Sequence, residues 1–94
     1  MKNGRQADVA SIEEVRAGIS AANEQANEGL GALQQAHASL EQAQGALMRA
    51  TEGSGQADVS EANGLLAQAV NSIEEVRQQV SAAISASEGV ANRL

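Results

Sequence analysis

In the first half of the chain a large apolar residue returns every seven positions, at Ile12, Ile19, Leu33, Leu40 and Leu47, with Ala26 filling the one gap. Three residues after each comes a mostly small partner: Val15, Ala22, Gly29, Ala36, Ala43 and Ala50. The second half repeats the pattern with Val59, Leu66, Ile73, Val80, Ser87 and Leu94, partnered by Ala62, Ala69, Val76, Ala83 and Val90. A sustained seven-residue spacing with a second apolar position is what a helix needs to pack against another helix along a single stripe. Gly53-Ser54-Gly55 separates the two halves, and glycine suits the left-handed residue that ends a helix. The pattern therefore predicts an all-α chain: one long antiparallel two-helix hairpin, coiled-coil-like, with an alanine-rich seam. Helix 1 is expected at about 6–51, the turn at 52–55 and helix 2 at about 56–92, all within a single unit over 1–94.

The predicted register follows from facing one row with the other. Leu47 opposite Ala62 carries with it Leu40 opposite Ala69, Leu33 opposite Val76 and Val80 opposite Gly29, centred between Ser54 and Gly55. Most layers then set a large residue against a small one, which favours close helix approach. One stretch is thin: Ala26 with Ala83 and Ala22 with Ser87 predict a pinch, or a place filled by another chain. Asn3 or Asp8 is a candidate cap for the first helix and Ser54 for the second. Interior glycines each cost about 0.5–1 kcal/mol relative to alanine, so packing must hold these helices.

Apolar residues outside the two rows suggest a partner. Leu30, Val70 and Ile84 are expected just beside the seam, on one edge, with Met48 and Leu65 flanking the turn. These five are the candidate partner interface. A second stripe of this kind is what a four-helix assembly requires, and small hairpins commonly need association to be stable. The expectation is a homo-oligomer, such as a dimer forming a four-helix bundle, or a complex with a helical segment of a different protein.

Composition narrows the partner classes. The 94 residues contain no Phe, Tyr or Trp and no Pro, and the formal net charge is −6. The six cations are scattered, so the basic face that a nucleic acid requires is missing, and an anionic membrane surface is disfavoured. No apolar run approaches the roughly 18 residues of a membrane span. The charged start, Met1-Lys2-Asn3-Gly4-Arg5, is followed by no apolar segment, which predicts no Sec signal peptide. The absence of cysteine removes disulfides and thiol chemistry.

Catalytic and ligand chemistry is not indicated. His37 is the single histidine, is flanked by Ala36 and Ala38, and is expected to have no carboxylate on its face; a metal site needs more ligands. Glu13-Glu14 and Glu74-Glu75 are acid pairs, but acid–base work needs a cleft that perturbs a pKa, and the glutamates fall on outward positions. The Gly-Ser-Gly turn lacks the strand and lysine of a phosphate loop. No enzyme activity, cofactor, metal site or small-molecule substrate is expected. Ser-Ile-Glu-Glu-Val-Arg occurs at 11–16 and again at 72–77, a repeat that shared helical composition or duplication accounts for equally.

An acidic helix–turn–helix of this length with the turn Thr51-Glu52-Gly53-Ser54-Gly55 resembles the ESX/WXG100 class of small actinobacterial proteins. That class carries Trp-x-Gly in the turn and a C-terminal Tyr-x-x-x-Asp/Glu export signal. This chain has neither tryptophan nor tyrosine, and Ile84 stands four residues before Glu88. The resemblance implies a helical partner belonging to a larger secreted or toxin-type protein. It also implies a location in the cytoplasm, or export by a type VII secretion route without a Sec signal. The alternative from the residues themselves is a structural rod or spacer, assembling end to end.

Overall fold

The computed structural model describes the backbone of residues 2–53 and 57–94 and the side chains of residues 11–53 and 59–94. Two helices make up the fold, α1 over Lys2–Ala50 and α2 over Ala57–Arg93, packed against each other as a long hairpin. Alanine is the commonest residue of both segments and the best helix former. The hairpin is a slender body of 78 × 16 × 15 Å. The first helix starts earlier than its periodic pattern suggested, which places Asn3 and Asp8 inside it rather than at its cap. The expected cap at Ser54 lies outside the described residues.

The end of α1 is closed by short-range hydrogen bonds. Thr51 N–H donates to the Leu47 carbonyl at 3.0 Å, and the Thr51 hydroxyl donates to the same oxygen at 2.6 Å. Glu52 N–H donates to the Arg49 carbonyl at 3.4 Å, tightening the last turn. Gly53 follows with φ +85°, the left-handed conformation expected of it, which a side chain would strain.

The seam uses a different second row from the expected one. In α1 the half-buried positions include the series Ile19, Asn23, Ala26, Leu30, Leu33, His37, Leu40, Gln44, Leu47, with Thr51 just beyond, and outside that series Ile12, Ala36 and Gly45. In α2 the matching series is Val59, Asn63, Leu66, Val70, Ile73, Arg77, Val80, Ile84, Ser87, Ala91, with Ala62, Ala67, Ala69, Glu74 and Gly89 half-buried outside it. The large row is as expected, but its companion stands four residues on, not three. The two series mirror each other about position 55, so residue n of α2 lies level with residue 110 − n of α1. Leu40 thus faces Val70, Leu30 faces Val80 and His37 faces Ile73.

The expected small row points elsewhere. Ala22, Gly29, Ala43, Ala50 and Ala83 are exposed, Val76 and Val90 are each 40% exposed, and only Ala36, Ala62 and Ala69 are half-covered. A Cβ built on Gly29 meets nothing within 4 Å, so Gly29 does not abut Val80. Leu30, Val70 and Ile84 take the contact, while Val15, Val76 and Val90, the large members of the other row, stay exposed. The polar members of the seam include His37, Gln44 and Arg77, and long side chains of this kind can lay apolar stems along a contact.

This seam leaves the hairpin without an interior. Among the described residues none is buried, apolar or polar. Asn63 Oδ1 and Arg77 Nε are covered without a hydrogen-bond partner, a local cost of the polar residues in the seam.

Candidate interaction surface

The two long sides of the hairpin differ in chemistry. One side, here the front, is identified by an open cleft near the free ends, lined by Ile19, Ser20, Asn23, Glu88, Ala91 and Asn92. Ser20 and Glu88 each follow a seam residue by one position, so that position faces the front on both helices. Glu41 and Glu74 occupy the same kind of position. Glu41 Oε1 lies 3.2 Å from His37 Nδ1, and Arg77 Nη1 donates to Glu74 Oε2 at 2.7 Å. His37 therefore does have a carboxylate beside it, one helical turn on, contrary to expectation. Local pairs of this kind, partly exposed, contribute a few tenths of a kcal/mol. The cleft adjoins the layers expected to be thin, where Asn23 faces Ser87 and Ile19 faces Ala91.

The other side, the back, carries the positions three and six residues after each large seam residue. On α1 these include Gly18, Ala22, Gly29, Ala32, Ala36, Ala43 and Ala46; on α2 they include Ala62, Leu65, Ala69, Val76, Ala83 and Val90. None of the ten glutamates falls there; all lie on the front or the outer faces. Arg93, at the very end of α2, is the one charged side chain on these back positions among the described residues.

The five expected interface residues divide between these environments. Leu30, Val70 and Ile84 are half-buried in the hairpin's own seam and do not form an open edge. Met48 and Leu65 are 61% and 59% exposed. Met48 follows Leu47 by one and so belongs to the front, whereas Leu65 precedes Leu66 and belongs to the back. Val76 and Val90, assigned to the seam by their spacing, are instead among the exposed large apolar residues of the back. Residue size does not separate the two rows in the sequence: the four-on row contains Leu30, Val70 and Ile84, and the three-on row Val15, Val76 and Val90.

Among the described residues no three His, Asp or Glu side chains come together in a way that could hold a metal ion. No described helix is long and apolar enough to cross a membrane. Neither the known family models nor the curated proteins nor the solved structures provide a match to this chain.

Proposed function

We propose that this chain is a non-catalytic protein–protein interaction module, a helical hairpin that works by pairing side to side with another helical surface, its own or that of a larger secreted or toxin-type protein. The observation that carries this reading is the absence of any buried residue among those described, combined with a side that is mostly apolar and free of glutamate. A two-helix hairpin with no interior gains little from its own contacts, and lateral association gives it the missing core. The ESX/WXG100-like turn and acidic character fit the same role.

The second reading, a rod or spacer, is favoured by the 78 Å length and 16 Å width. Rods of this kind assemble end to end into open arrays, whereas lateral pairing closes. Sedimentation velocity over about a hundredfold range of concentration separates the two. The interaction module is expected to stop at a small defined mass, alone or with its partner. Continued growth of the sedimenting species with concentration supports the rod and overturns the module.

A further inference from the structure

We infer that the back of the hairpin is the docking surface for a second copy of this chain, with the two copies related by a two-fold axis along their length and their turns at the same end. The inference rests on the interaction-module reading and names its partner. Three observations carry it: area, charge and the placement of large and small residues.

The chain exposes 6975 Å². A compact folded protein of 9.6 kDa exposes about 5,100 Å². The excess, roughly 1,900 Å² per chain, is more than the approximately 800 Å² that each partner buries in a standard stable interface. One side of a 78 × 16 Å body offers a footprint of about 1,200 Å², so the back is large enough to supply a stable dimer.

Charge selects the side. With a net charge of −6, two copies repel wherever their carboxylates meet. The back holds no carboxylate among the described residues, so back-to-back contact turns every described glutamate away from the interface.

Shape selects the partner and its direction. On the back, α2 carries the large residues Leu65, Val76 and Val90 among alanines, and α1 carries alanine and glycine for most of its length, with Val15 near its start the large exception. Reflection about position 55 puts Leu65 level with residue 45 of α1, between Ala43 and Ala46. It puts Val76 level with residue 34, between Ala32 and Ala36. It puts Val90 level with residue 20, between Gly18 and Ala22. Each knob on α2 thus stands at the height of a gap on α1. A Cβ built on Gly18 meets nothing within 4 Å, so that gap is open. A two-fold axis along the hairpin lays α2 of one copy over α1 of the other without a shift in height, and all three knobs enter gaps together. The opposite arrangement, with turns at opposite ends, stacks α2 on α2 and α1 on α1, setting large on large and small on small. A second copy supplies knobs and gaps in matching register.

The test begins with the mass in solution by light scattering, where a species of twice 9.6 kDa is expected. Ala83→Glu places a carboxylate in the middle of the back and is expected to halve that mass. Ala82→Glu, the same change one residue earlier on the outer face, is expected to leave it unchanged. A monomeric parent chain overturns the inference while leaving the module reading with a different partner. A dimer that survives Ala83→Glu also overturns it. Should Ala83→Glu unfold the chain, cysteine pairing decides, since the chain has no cysteine of its own. A mixture of Ala36→Cys chains with tagged Val76→Cys chains is expected to form the mixed disulfide on mild oxidation. Linkage of Val76→Cys chains only to one another, or no linkage, overturns the arrangement.

Discussion

The seam row and the back row of this hairpin are one residue apart in sequence and opposite in fate. Leu30, Val70 and Ile84 stand four positions after the large residues and are half-buried between the helices. Ala22, Gly29, Val76, Ala83 and Val90 stand three positions after and face outward. The polar–apolar pattern favours the second set, which is almost uniformly apolar, over the first, which includes Asn23, His37, Gln44, Asn63 and Arg77. The structure nonetheless places the first set between the helices, with Leu30, Val70 and Ile84 as its large members, and leaves Val76 and Val90 outside. The comparison teaches that the more apolar of two adjacent rows is not thereby the row that the helices bury.

The strongest way to break this comparison is to charge the seam. Leu30→Glu with Ile84→Glu removes two half-buried apolar side chains and brings carboxylates between the helices, at an expected cost of about 3 kcal/mol or more. Far-UV circular dichroism should show loss of helix in this variant at concentrations where the parent chain is folded. Retention of full helicity would return these residues to an open edge.

A matched pair sharpens the comparison. Val70→Ala and Val76→Ala make the same chemical change on the same helix, one in the seam and one on the back. Urea titration, at a dilution where the chain is monomeric, should find the Val70 variant less stable than the Val76 variant by about 1 kcal/mol. Equal midpoints would mean that the two rows share the contact.

The smallest expected effect concerns positions outside both rows. A Cβ built on Gly31 or Gly64 meets nothing within 4 Å, and both lie inside helices. Alanine at each should stabilise the hairpin by roughly 0.5–1 kcal/mol through lower chain entropy in the unfolded state. Thermal melts should rise while the mass in solution stays that of the parent chain. A lower melting temperature at either position would reveal a contact on the outer or front faces.

The sequence by itself determined the two helices, the break after Thr51, the left-handed role of Gly53 and the row of large residues that leads the seam. Each depends on local propensity or on a seven-residue period, and both are written in consecutive residues. It also placed most glutamates correctly, since charge avoids any contact stripe; Glu74, half-covered beside Arg77, is the inward exception. The four-residue spacing of His37 and Glu41 carried their pairing, which the expectation of no carboxylate on that face missed. Only the tertiary structure decided which companion row fills the seam. The positions three and four after a large residue lie about equally far to either side of it on a helix, so periodicity ranks them alike. The packing of the second helix breaks that tie, turning the four-on flank of each helix inward. The same rotation fixed the register about position 55, sent the small residues to the back, and set Leu65, Val76 and Val90 level with the gaps of α1.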